Sequence, residues 1–266
     1  MLIEDVSIGD DVICHADCAI HKIDPLFAEE KLELLKRDLL IEGEMNLSKI
    51  IVVKNILDAN DRIAEENRKL FDYEKIYVLN LMSSPGAGKT SLVERTIEAL
   101  QKKYKIGVIE GDIQGSSDAE RIARLGIPVV QINTGGACHI DGNMIREAMP
   151  GLDLTQIDLL IAENVGNLVC PAEFKIGENV KVMVLSTPEG SDKPAKYPLM
   201  FQQSEAMIIN KIDLLPYVDF DMAKAKKDAL TLNRNLKIFE VSCKTSAGLK
   251  DWFDWLSDHI ESFRSK

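Results

Sequence analysis

The residues with the plainest chemical purpose stand in "SSPGAGKTS", 83–91. Ser83–Thr90 follows the phosphate-loop pattern G-x-x-x-x-G-K-[ST], except that Ser83 replaces the first glycine. Pro85, Gly86, Ala87, Gly88 and Ser91 complete the loop, and the two glycines remove Cβ atoms so that backbone N–H groups can curl around a phosphate. Lys89 would reach the terminal phosphates, and Thr90 would place its hydroxyl on Mg²⁺. The apolar run Ile76–Leu81 precedes the loop, and Leu92, Val93, Thr96, Ile97 and Leu100 follow it at helical spacing. Strand, loop and helix come in the required order, with the helix N-terminus adding its dipole to the anion site. This part of the chain is expected to bind a nucleoside triphosphate.

"NKID", Asn210–Asp213, points to the base. The Asp213 carboxylate can accept two hydrogen bonds from the N1–H and exocyclic amine of guanine, a donor pair that adenine lacks on that edge. Asn210 would fix the loop, and the stem of Lys211 would lie along the base. Further on, "SCKTSAGL" brings Ser242, Cys243 and Lys244 behind another strand, similar to the loop that completes the guanine pocket of G proteins. The two motifs together, the first about 120 residues after the phosphate loop, select GTP.

Carboxylates at strand ends are the candidates for Mg²⁺ and for water. Glu163 and Gly166, in "LLIAENVGNL", stand where small G proteins carry D-x-x-G; Glu163 can hold the Mg²⁺ shell, and the Gly166 N–H can approach the γ-phosphate. Asp112, in "IEGDIQGSSD", closes another strand and is a candidate to bind Mg²⁺ through water or to orient the attacking water. Asp118 is the weaker candidate because it also suits a helix N-cap. With Lys89, Asp112 and Glu163 form the expected catalytic set. No glutamine occupies the water-orienting position of signalling G proteins, so intrinsic hydrolysis is expected to be slow and tied to assembly.

A second group has softer donors. Cys138 and His139 adjoin each other in "NTGGACHIDGNMI", and Cys170 lies seven residues beyond Glu163 in "ENVGNLVCPAEF". Thiolates with an imidazole suit Zn²⁺ or Ni²⁺, completed by water or by a second chain across a two-fold axis. From spacing alone, buried apolar thiols and a helix-capping histidine explain the pattern equally well.

These residues need a scaffold. Over the 266 residues, 45% hydrophobic and 28% charged composition describes a globular chain with one α/β domain and an appendage. The net charge of -11 argues against nucleic acid as a partner. The absence of an apolar run near membrane-spanning length argues against a membrane, and the five cysteines fit a reducing cytoplasm. Buried strands are expected at Ile76–Met82, Lys105–Glu110, Pro128–Ile132, Asp158–Glu163, Val180–Ser186, Ala206–Asn210 and Lys237–Val241. Helices are expected at Thr90–Lys102, Asp118–Leu125, His139–Met149, Phe220–Asn233 and Ala247–Phe263. Their alternation predicts a mostly parallel sheet with helices on both faces, over 75–266. Before it lie a small β/helix segment at 1–41 and a linker with an N-terminal helix at 42–74.

"SSPGAGKT", "NTGGACHIDGNMI", "ENVGNLVCP", "STPEGSDKP" and "NKIDLLP" together resemble the HypB family, GTPases serving nickel insertion in [NiFe]-hydrogenase maturation, over about 49–266. The resemblance implies the dimerising, signal-recognition-like branch of P-loop GTPases. It also implies Cys138, His139 and Cys170 as Ni/Zn ligands in switch regions at a homodimer interface. A nickel-carrying accessory protein and the hydrogenase large subunit are the implied partners. The Cys-x-x-Cys-Gly-Cys or His-rich tract that many members carry is missing; Cys14, His15, Cys18 and His21 are a weak substitute metal set. About residues 3–41 resemble the second half of HypC, a small chaperone of the same pathway. Two other readings remain: a GTP-controlled binding scaffold with structural thiols, and a small-molecule kinase, which "NKID" disfavours. In the leading reading Glu163 and Cys170 share one segment, so a γ-phosphate-driven movement resets both sites.

Overall fold

The computed structural model describes residues 12–15, 18–22, 49–113 and 115–265, which fall into two compact units divided between Val52 and Val53. In the first, β1 (Val12–His15) pairs antiparallel with β2 (Cys18–Lys22), His15 opposite Cys18. The side chains of Cys14, His15, Cys18 and His21, and the helix expected after Asp24, lie outside the described residues.

The second unit is organised by a seven-stranded parallel sheet. Its strands are β3 (Tyr77–Ser83), β4 (Ile106–Asp112), β5 (Val129–Asn133), β6 (Leu159–Glu163), β7 (Val180–Ser186), β8 (Ala206–Asn210) and β9 (Lys237–Glu240). The order is β5-β4-β6-β3-β7-β8-β9. Every residue of β3, β6, β7 and β8 is buried, whereas the edge strands β5 and β9 are partly exposed. Near-continuous Val, Ile and Leu runs are what a parallel strand covered on both faces requires. All seven expected strands are present, to within two residues at each end.

Helix α1 (Lys49–Tyr73) buries Phe71 in one cluster with Ile76, Ile109 and Leu160, so its later turns belong to this unit. On the opposite face, α2 (Lys89–Leu100) and α9 (Leu249–Arg264) enclose a core around Trp252, whose Nε1 donates to Thr96 Oγ1 at 3.0 Å. Replacing such a ring by alanine costs about 3–5 kcal/mol. Between these lie α3 (Ser117–Ala123), α4 (Gly142–Ala148), α5 (Cys170–Glu173), α6 (Lys193–Lys196), α7 (Pro198–Gln203) and α8 (Met222–Leu232).

One helix expectation is corrected. The stretch expected to be helical from His139 becomes helical only at Gly142, because Asp141 is the N-cap and accepts from Met144 N at 2.8 Å. His139 therefore stays in the loop beside Cys138. The short helix α5 was not anticipated; its second residue, Pro171, has the preset φ of a first helical turn.

Candidate functional site: a phosphate cradle joined to a thiol cluster

Because the strands are parallel, the loops after β3, β4, β6 and β8 gather at one sheet edge, beside the point where connections diverge from β3. The loop after β3 turns through left-handed backbone at Gly86 (φ 75°) and Gly88 (φ 98°). A Cβ on Gly88 would meet Asn210 Nδ2 at 2.5 Å, so strain and space both require glycine there. Lys89 is buried, and its Nζ donates to Ser83 Oγ at 3.0 Å. The loop surrounds a cavity of about 490 Å³ that reaches Thr90, Asp112, Glu163 and Gly166. Gly166 packs against Pro85; a Cβ there would come within 2.9 Å of Pro85 Cα.

An adjoining cavity of about 420 Å³ is lined by Asn210, Lys211, Asp213, Cys243 and Lys244. Asn210 Nδ2 donates to Ala87 O at 3.0 Å, and its Oδ1 accepts from Lys211 N and Cys243 N, tying the base loops to the phosphate loop. Lys211 has φ 62° and reaches Gly86 O with Nζ at 2.6 Å. Ser242 Oγ donates to Asp213 Oδ1 at 2.6 Å, orienting the carboxylate while its other oxygen stays available.

Thr90 Oγ1 donates to Glu163 Oε1 at 2.8 Å. Beside them lies a carboxylate that sequence reasoning missed, Glu110. Glu110 and Glu163 pair across β4 and β6 and are each 3% exposed. One oxygen of each, Oε2, is buried with no hydrogen-bond partner among the described residues. Burial, then the Glu163 charge, pushes Glu110 up to about 8; burial pushes Glu163 up to about 7 against the pull of Lys89 and Thr90. With Asp118, these residues offer oxygens within 4.8 Å of one another. Asp112 lines the same cavity, but its oxygens accept from Ile113 N at 2.6 Å and Gly115 N at 3.0 Å, a local turn. Orphaned hard oxygens of like charge fit a divalent cation.

Residues 163–170 lead from this cluster to the second one. Asn164 is fully buried: its Oδ1 accepts from Ile140 N at 2.9 Å and Val165 N at 3.0 Å, and its Nδ2 donates to Asn80 Oδ1 at 3.2 Å. Asn167 Nδ2 donates to Cys138 O at 3.2 Å. The two sulfurs of Cys138 and Cys170 lie 2.9 Å apart, and His139 Nδ1 is 3.8 Å from Cys138 Sγ. Sharing one proton with Cys170, and sitting beside His139, Cys138 is held well below the usual thiol range while Cys170 is pushed above it. The three donor atoms lie within 4.8 Å of one another. His139 stacks on Phe174 with centroids 3.8 Å apart, and the buried Lys181 Nζ donates to the carbonyls of Ala172 (2.8 Å) and Phe174 (3.1 Å). A lysine in the apolar run "VKVMVLS" was the sequence signal for that support.

Fold and cavity together define a P-loop nucleoside triphosphatase with a thiol-imidazole cluster attached to its nucleotide-facing segment. Residues 77–240 match the family described as CobW/HypB/UreG, nucleotide-binding domain. The hydrogenase maturation factor HypB of Azotobacter vinelandii is 48% identical over 205 residues, 77% of this chain and 68% of that protein. The crystal structure of HypB from Helicobacter pylori in complex with nickel matches with TM-score 0.73 at 39% identity, covering 77% of this chain and 96% of that one. HypB from Archaeoglobus fulgidus gives 0.72 at 39% identity, covering 76% and 99%. The chain belongs to the HypB family of hydrogenase maturation GTPases. None of its described helices is long and apolar enough to cross a membrane.

Proposed function

We propose that this GTPase carries Ni²⁺, or Zn²⁺ in its place, on Cys138, His139 and Cys170 and releases it toward a [NiFe]-hydrogenase under control of GTP. The observation that carries this is the gathering of three soft donors within 4.8 Å, one of them, Cys170, on the segment that begins at the Thr90-bonded Glu163. GTP would sit with its phosphates against Gly86–Ser91 and its base against Asp213 and Lys244, Asn210 and Lys211 bracing the loops. Thr90, Glu163, Glu110 and Asp118 would hold Mg²⁺, which supplies charge neutralisation on the phosphates. Asp112 is the proposed water-orienting group, its carboxylate released from Ile113 and Gly115. Gly166 brings the segment's backbone against the phosphate loop, so a γ-phosphate displaces the strap that Asn164 and Asn167 tie to residues 138–140.

Three donors leave a four-coordinate ion incomplete, which supports a homodimer in which water or the second chain completes the site. A nickel-carrying accessory protein upstream and the hydrogenase large subunit downstream are the proposed partners. The HypC-like reading of residues 3–41 belongs to the same proposal, supported by the antiparallel β1–β2 pair. The test is titration of Ni²⁺ and Zn²⁺ into the full chain with GDP or a non-hydrolysable GTP analogue, with size-exclusion light scattering on the same samples. Different metal affinities in the two nucleotide states are expected; equal affinities would overturn the coupling.

A further inference from the structure

Three cationic side chains line the 490 Å³ cavity: Lys89, Lys211 and Arg121. Lys89 is the phosphate-loop lysine, and Lys211 is committed to Gly86 O. Arg121, on α3, is the cation without an assigned task.

Its guanidinium is clamped from one side. Nε and Nη2 donate to the two carboxylate oxygens of Glu94 at 3.1 and 2.6 Å, and Nη1 donates to Asp118 at 3.1 Å. Nη2 also donates to Ser91 Oγ at 3.4 Å, in the first turn of α2. An arginine has five N–H donors, so the bonds to Glu94, Asp118 and Ser91 leave one hydrogen, on Nη1, without a partner among the described residues. The fork therefore stands between the anion-binding turn of α2 and the carboxylate cluster, held at fixed orientation on the cavity wall. As a mere tether between α2 and α3, a pair 38% exposed on the arginine side would contribute little.

We propose that Arg121 is a catalytic arginine supplied in cis, with Glu94 as its positioning residue. The inference rests on the GTPase reading of the cavity. During hydrolysis the water oxygen bonds to the γ-phosphorus while the bond from that phosphorus to the bridging oxygen breaks. The electron pair of the broken bond goes to the β-phosphate, and the water proton leaves with inorganic phosphate. In a loose transition state, negative charge collects on the leaving diphosphate, on the side of the nucleotide nearest Ser91. The free Nη1 hydrogen of Arg121, joined by the Nη2 hydrogen that the long bond to Ser91 Oγ can release, meets that charge, and a donor already in place costs no reorganisation. This would compensate for the missing water-orienting glutamine.

The test is single-turnover GTP hydrolysis by the full-length protein and its Arg121→Ala, Arg121→Lys and Glu94→Gln variants, with Mg²⁺ present. Affinity for a fluorescent GDP analogue is measured in parallel. Arg121→Ala is expected to slow hydrolysis by about 100-fold or more. GDP affinity should stay within about threefold, and millimolar guanidinium should restore part of the rate. Arg121→Lys keeps the charge without the fork and should remain slow. Glu94→Gln should fall between wild type and Arg121→Ala. A rate within a few-fold of wild type in both arginine variants, or a slow Arg121→Ala that guanidinium does not accelerate, overturns the proposal. Failure of the wild type itself to hydrolyse GTP would instead overturn the reading on which it rests.

Discussion

The carboxylate cluster and the thiol-imidazole cluster stand at the two ends of residues 163–170 and are built in opposite ways. Glu110 and Glu163 project from adjacent strands, with Asp118 from the first turn of α3, in a wall 3% exposed at both glutamates. Cys138 and His139 occupy a loop, and only Cys170 starts a short helix. A hard site set in a sheet keeps its geometry through many turnovers. The soft donors sit on loops, held by the Asn167–Cys138 bond and the His139–Phe174 stack, an arrangement that suits the release the proposal requires. In the proposed cycle catalysis uses the first property and delivery the second, and the strap between them is the proposed link.

The strongest way to break this contrast is Cys170→Ala. It removes one of three soft donors and should lower Ni²⁺ affinity by about 100-fold or more, with single-turnover GTP hydrolysis within about twofold of wild type. Isothermal titration and a phosphate-release assay give both numbers, and comparable losses in the two would mean the clusters are not separable. The reciprocal change, Glu163→Gln, takes the charge from the Thr90 partner. Hydrolysis should slow by about 100-fold, the scale of losing one electrostatic stabiliser, while the nucleotide-free protein keeps its Ni²⁺ affinity.

A smaller effect is expected where the strap is cut. Asn164→Ala leaves the buried N–H groups of Ile140 and Val165 without their acceptor, at a cost of about 1–3 kcal/mol. Neither ion site loses a donor. The expected result is a metal affinity that no longer differs between GDP and GTP-analogue states, beside a modest fall in denaturation midpoint. Persistence of the full nucleotide dependence would show that Asn164 does not carry the coupling.

Much of this was legible in the residues themselves. β3, β7 and β8 announce themselves because strands covered on both faces carry near-continuous apolar runs, and the phosphate loop is written in glycines that its φ angles demand. What escaped was what neighbouring strands bring together. Glu110 and Glu163 are neighbours only because β4 lies beside β6, and nothing in a single chain read end to end says so. Asn80 and Asn164 were hidden for the same reason, although an asparagine inside "YVLNLMS" is a polar residue that a fully buried strand must explain. Asp112 stood out as a strand-end acid, yet two backbone N–H groups of its own loop reach its carboxylate first.

The smallest expected effect sharpens the contrast through protons. Glu110 and Glu163, pushed to about 8 and about 7, stay protonated in the metal-free fold at pH values where the unfolded chain has released both protons. The folded state therefore binds more protons over the window from about pH 4.5, the ordinary glutamate value, to about pH 8. Their contribution to stability is full below that window and is lost as pH rises through it, with a limiting slope of about 1.4 kcal/mol per pH unit for each group. Cys138 opposes this, because its lowered value adds stability as pH rises toward the ordinary thiol range. A bare melting curve thus mixes both clusters, and the informative quantity is the difference between wild type and Glu110→Gln. That variant should melt a few degrees higher than wild type at pH 8 and show little difference at pH 5. Mg²⁺ with nucleotide should erase the gap, since a cation then takes the place of the protons. A difference that is flat across pH, or that grows toward acid, would mean that Glu110 is charged in the metal-free protein and that Glu110 and Glu163 are not held together by protons.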